Sequence, residues 1–405
     1  MSPIPFKFRL INSVGSALSK VGIKVVDLNV EKLLQKAVKR TKISDFGDEA
    51  FKEGLHELVK SIEASDMTVV NKIALKQTIS FNLTRRLILE NTRKKRPDIF
   101  QQPLNNPLIV LGFPRTGTTI IHRLLALDPN SRAYTMLELT YPFPWMNLDA
   151  MRPQMEKSYA RMKSIMPDLD MKHEVGVDIP EECINVLGPT FSSWNYYIQA
   201  PVPEYMKWCF TTDQHRKYRE YKDYLHLLQS MDPEKRPTLK SPPHTAGIKE
   251  IHEVIPNAMM VQMHRDPVEF VLSTNSILKT LHQREKPEQI KKMALDNLDF
   301  IEGMMIKNLE HRKEMGSHVF DVMYKDLMKD PVATIQSIYD HYNIPWPKGY
   351  DKLILDYLEV NKKNKYGKHK YTLEEFGLTK KMVLDRLKPY IEEFFSENLI
   401  EKEAI

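Results

Sequence analysis

Apolar residues recur at intervals of three and four through most of the first hundred positions. The stretches "VEKLLQKAVKR", "DEAFKEGLHELVKSIEAS" and "VVNKIALKQTISFNLTRRLILEN" all carry that spacing, which gathers the apolar side chains onto one side of a helix. Asp45 and Asp48 offer acceptors near a helix start. No glycine-rich linker follows; "KKRPDIFQQPLNNP" is the only break. Residues 1–103 are therefore expected to form a helical region packed on a main domain, 104–405, rather than a free module.

From Pro107 the rhythm changes. Short apolar runs at 108–111, 132–137, 238–240, 258–264 and 318–323 predict strands, and helical spacing separates them, including helices over about 151–166 and 215–231. This cadence predicts an α/β fold, a parallel sheet with helices on both faces. No internal repeat is present.

Composition narrows the chemistry. The chain has 405 residues, 42% hydrophobic and 28% charged, enough for a sizeable core. A net charge of +6 suits a small polyanion better than nucleic acid, which calls for a denser basic stripe. Its two cysteines, Cys183 and Cys209, form no C-x-x-C pair. This excludes a disulfide framework or zinc site and suits a reducing, cytoplasmic setting. No apolar run is long enough to span a bilayer. The opening "MSPIPFKFRLINSVGSALSKVGIKVV" is basic and free of acids until Asp27, so it reads as an ordinary N-terminal helix or one that touches a membrane surface.

The segment "LIVLGFPRTGTTIIHRLLAL" (108–127) reads as strand, turn-rich loop and helix. Gly112 and Gly117 have the spacing of a nucleotide-triphosphate loop, yet Thr118 stands where that loop places lysine. Backbone amides of such a loop, together with a helix N-terminus, favour an anion. The question is which anion.

"GFPRTGTT" resembles the loop that holds the 5′-phosphosulfate in sulfotransferases that use 3′-phosphoadenosine 5′-phosphosulfate (PAPS). "MMVQMHRDPVEFVLST" resembles that family's 3′-phosphate segment, with Arg265 at a strand end and Ser273 eight positions on. "TLKSPPHTAG" and "HKYTLEEFGLT" resemble strand-end and closing segments of the broad, largely bacterial branch. The resemblance runs from about residue 107 to 380 and implies a P-loop-like fold with PAPS as cofactor and no metal. It implies PAPS contacts from Arg115, Thr116, Gly117, Thr118, Thr119, Arg265 and Ser273, and from Lys368 near the closing motif. No lysine is then needed at 118, because a sulfuryl group carries less charge than a γ-phosphate and Arg115 can neutralise its oxygens. The rivals are a nucleotide kinase or hydrolase, and a non-catalytic nucleotide-binding scaffold.

For the acceptor's proton the resemblance offers two bases. Glu138, in "YTMLELTYPFP", matches the tyrosylprotein branch's glutamate after a shift of about two residues. His244 follows Lys240 by four positions, where the cytosolic branch has two. Lys240, at a predicted strand end, can assist departure of the nucleotide. The pair Glu181 and Glu182 in "DIPEEC" suits a helix start or the acceptor side. Aromatic and methionine residues crowd positions 134–210, which suggests a small apolar acceptor bearing a hydroxyl.

Overall fold

A computed structural model of the protein describes residues 6–21, 24–174, 176–361 and 371–395. The strands β1 (Leu108–Gly112), β2 (Ser131–Arg132), β3 (Arg236–Lys240), β4 (Met259–His264) and β5 (Val319–Met323) run parallel in the order β2-β3-β1-β4-β5. Every residue of the central β1 is buried, as its unbroken apolar run requires when both faces are covered. Val110 aligns with Lys240, Gly112 with Met263, and His264 with Met323. The carboxyl ends of β1, β3, β4 and β5 therefore share one edge, where ligands of open parallel sheets bind.

Alternation along the strands divides the core. Ile109, Leu111, Leu239 and Met260 pack with Tyr221, Leu225 and Ile251 from helices on one face. Leu108, Val110, Val261 and Met263 pack with Ile121, Leu124, Ile335 and Tyr350 on the other.

One predicted strand is corrected. Over 132–137 only Ser131–Arg132 pairs with the sheet, and a helix occupies Met136–Thr140. Thr135 accepts from the Glu138 amide while the Glu138 carboxylate accepts from the Thr135 amide, a reciprocal cap that starts a helix. The helices predicted at about 151–166 and 215–231 lie at Leu148–Ile165 and Gln214–Gln229.

The N-terminal helices are α1 (Phe6–Lys20), α2 (Val30–Thr41), α3 (Phe51–Ala64) and α4 (Val69–Lys95). Asn29 caps α2 and Thr68 caps α4 through their side chains. Asp45 and Asp48 serve turns before α3, accepting from the amides of Gly47 and Ala50. Leu33, Phe51, Leu58 and Leu83 share one apolar cluster with Phe191, Tyr196, Phe270 and Leu298 of the later chain.

At that seam Arg86 is fully buried. Its guanidinium donates to the carbonyls of Phe46, Asp48 and Pro189 and, at 2.7 and 2.8 Å, to both carboxylate oxygens of Glu220. Removing the cation leaves a buried carboxylate and several carbonyls unmatched. Arg86→Met is expected to lower the unfolding free energy by about 3–5 kcal/mol, read from urea denaturation; an unchanged midpoint would contradict this account of the seam.

Candidate functional site

The loop after β1 is built by its glycines. Gly112 has φ 135°, and a Cβ there would stand 2.6 Å from the Met263 carbonyl oxygen. Gly117 has φ 102°, and its Cβ would meet the Tyr324 ring at 2.6 Å. Both positions demand glycine. Between them Arg115 adopts φ 69°, and the Thr116 hydroxyl donates to the Phe113 carbonyl at 2.7 Å, drawing the turn tight. The helix Thr118–Leu125 then starts on Gly117, which brings no side-chain cap. Its first amides lack intrahelical acceptors and carry partial positive charge.

The second cationic element follows β4. Asp266 caps the helix Pro267–Leu281 by accepting from the Glu269 amide at 3.0 Å. Arg265, just before it, donates to the Arg115 carbonyl at 3.2 Å, lies over the Tyr324 ring at 4.5 Å and pairs with the exposed Glu269 carboxylate. Arg115 in turn donates from Nε to the Ser273 hydroxyl at 3.1 Å. The two motifs are thus locked together. Burial depresses the Arg115 guanidinium from its ordinary value; Arg265 adds to this while Tyr371 and Glu182 oppose it. Such a crowded cation gains from an anion beside it.

Lys240 closes the β3 end of the edge. It is buried, donating to Glu182 at 2.8 Å with Glu181 at 3.8 Å. Burial raises the Glu181 carboxyl, but His173, Lys240 and the Glu182 amide together hold it down to about 2. The phenol of Tyr159 is pushed up by burial and then by the Glu181 charge. Tyr159 belongs to a small cluster with Met136, Leu137, Met151, Met155 and Val177. A flexible apolar wall therefore adjoins the Lys240 acids. From the sequence "DIPEEC" could be either a helix start or an acceptor wall; the pairing of Glu182 with Lys240 was not visible there, and nor was the place of Tyr324 beneath Gly117.

The two expected bases each have partners of their own. Glu138 is spent on its helix cap and on Arg132, which also pairs with Asp232 and aligns with Pro237 near the start of β3. His244 is buried, with Nδ1 3.2 Å from the Tyr218 hydroxyl and Nε2 3.4 Å from Cys183 Sγ. Burial, then Lys217, lowers it to about 3. Cys183 donates to the Lys240 carbonyl and accepts from Tyr221, so His244 belongs to the packing beneath Lys240. Lys368 lies outside the described residues. Thr116 and Thr118 are buried, Thr119 half-buried.

His244 and His122, which burial and then Lys240 lower to about 3, are neutral when folded. The unfolded chain takes up their protons near pH 6.5, so stability falls as pH drops below 6.5 and continues falling toward 3. Each contributes a slope of up to about 1.4 kcal/mol per pH unit. Urea unfolding at pH 7.5 and 5.5 is expected to show this loss, shallower in His244→Asn; a pH-independent midpoint would contradict it.

Comparison with known proteins agrees with this geometry. A model of the sulfotransferase family matches residues 107–348, more than half of the chain. The omega-hydroxy-beta-dihydromenaquinone-9 sulfotransferases Stf3 of Mycobacterium bovis and Mycobacterium tuberculosis are each 24% identical over 282 residues, covering 66% of this chain and 71% of theirs. The crystal structure of sulfotransferase STF9 from Mycobacterium avium superposes with a TM-score of 0.80 at 23% identity, over 92% of this chain and 98% of that one. That of STF1 from Mycobacterium tuberculosis H37Rv gives 0.77 at 25% identity, over 89% and 98%. With its parallel sheet and interlocked arginine loops, the chain belongs to the sulfotransferase family.

Proposed function

We propose that this protein transfers a sulfuryl group from PAPS to the hydroxyl of a small, largely apolar acceptor. One observation carries the reading: Arg115 touches Ser273 through its side chain and Arg265 through its carbonyl. Two cationic elements thereby stand side by side at one sheet edge, as a nucleotide with phosphate at both its 3′ and 5′ positions requires. The loop of Arg115, Thr116, Gly117, Thr118 and Thr119 would hold the 5′-phosphosulfate, and Arg265 with Ser273 the 3′-phosphate. The donor brings a sulfuryl group already activated by its bond to phosphate. Glu269, which now neutralises Arg265, is exposed and can swing aside.

The chain's own residues supply charge and position. Arg115 and Lys240 would offset charge gathering on the departing phosphate, in a loose in-line transfer where placement matters more than covalent help. Glu182, now on Lys240, is the carboxylate best placed to receive the acceptor's proton once Lys240 turns to the donor. Glu138 and His244 instead hold the scaffold. The methionine-bearing wall beside Glu181 suits an apolar alcohol, the class to which Stf3's named acceptor belongs. Two free, buried cysteines are compatible with a reducing, cytoplasmic setting.

Thermal shift separates this reading from an ATP-using enzyme: adenosine 3′,5′-bisphosphate should stabilise the chain where ATP with magnesium does not, and the reverse pattern would overturn it. With labelled donor and a long-chain quinone bearing a terminal hydroxyl, Lys240→Ala and Glu182→Gln should lose about 100-fold or more in turnover while keeping bisphosphate stabilisation. Full turnover in Glu182→Gln would remove it as the base.

A further inference from the structure

Helix α1 has a protein-facing side and an exposed one. Phe8, Asn12 and Gly15 face the protein: Phe8 is buried, Asn12 accepts from the Val70 amide at 3.0 Å, and Gly15 abuts Val69 so closely that a Cβ would lie 2.5 Å from Val69 Cγ2. Away from that side Phe6, Leu10, Val14 and Leu18 are exposed, with Ile11 exposed at the margin and Val21 just past the helix. Spacing of four residues aligns Phe6, Leu10, Val14 and Leu18 into one stripe. A continuous outward stripe of this kind marks an interaction surface.

The sequence around the stripe is basic. Lys7, Arg9 and Lys20 lie on α1, and no acid occurs before Asp27. A helix that carries an outward apolar stripe in a basic stretch of sequence suits an anionic lipid surface, into which it lies flat. A second copy of the chain fits poorly, because a self-complementary contact would bring these like charges together.

The stripe also has a place relative to the site. Arg161 lies over the Phe8 ring of α1 at 5.8 Å, while Tyr159, two residues earlier on the same helix, senses the Glu181 charge. A single turn of the helix Leu148–Ile165 thus joins α1 to the methionine-bearing wall beside Lys240. We propose that α1 docks the protein on an anionic bilayer surface, through the stripe Phe6, Leu10, Val14 and Leu18, so that an apolar alcohol passes from the lipid to the Lys240 edge. The route into the site rests on the function proposed above; the docking itself does not.

Flotation of the full chain with vesicles tests this. The protein should rise with mixed phosphatidylglycerol and phosphatidylcholine vesicles, remain below with phosphatidylcholine alone, and be partly released by salt. Leu10→Ser with Val14→Ser should weaken vesicle binding by about tenfold or more, whereas Leu355→Ser, equally exposed but far along the chain, should leave it unchanged. Bisphosphate-induced thermal stabilisation should be the same in all three proteins. Wild-type protein that stays unbound, or a Leu10→Ser, Val14→Ser protein that floats as well as wild type, overturns the proposal. So does a dimer in size-exclusion chromatography that the double substitution dissociates. Bound vesicles without bisphosphate stabilisation would sink the donor assignment and leave the docking intact.

Discussion

The site depends on one shared cation. Arg115 sits in a left-handed turn that only the flanking glycines make possible, and from there its side chain reaches Ser273 while its carbonyl receives Arg265. Two guanidinium groups brought this close repel one another, and burial removes the water that would screen them. The Glu269 carboxylate, the Tyr324 ring and the more distant Glu182 offset that cost. None of these is as good a partner as a doubly charged phosphate. The edge is therefore preorganised for anions.

Lys240 repeats the pattern on the other side of β1. Its buried ammonium is matched by Glu182 and, farther off, by Glu181, which His173 also holds. A buried cation with two acids can release one of them to another task when an anion arrives. The network of Cys183, His244, Tyr218 and Tyr221 underneath fixes the strand end that carries Lys240. His244 is part of that network, and burial lowers it from its ordinary value.

Much of this was legible in the sequence because it rests on local rules. An apolar run buried on both faces reads as a central parallel strand, so β1, β4 and β5 were visible, as were Gly112 and Gly117, whose φ values only glycine accepts cheaply. The second strand was misplaced because the run 132–137 is short and bounded like a strand, yet the Thr135 and Glu138 pair starts a helix there. What joins distant segments was not legible: Lys240 to Glu182 spans 58 positions and Arg115 to Ser273 spans 158. Aromatic density misled in part too, since Trp194, Tyr196, Tyr197 and Tyr205 fill the seam with the N-terminal helices instead of an acceptor pocket.

The central claim is that the two arginine elements grip opposite ends of a single nucleotide. Calorimetric titration of wild type and Arg265→Ala with adenosine 3′,5′-bisphosphate and with adenosine 5′-monophosphate tests it most directly. Loss of the arginine should weaken the bisphosphate by about 10- to 100-fold, as befits one charge-assisted contact, and leave the monophosphate nearly unchanged. Equal weakening of both ligands, or of neither, would contradict the assignment of Arg265 to the 3′-phosphate and with it the shared-nucleotide account.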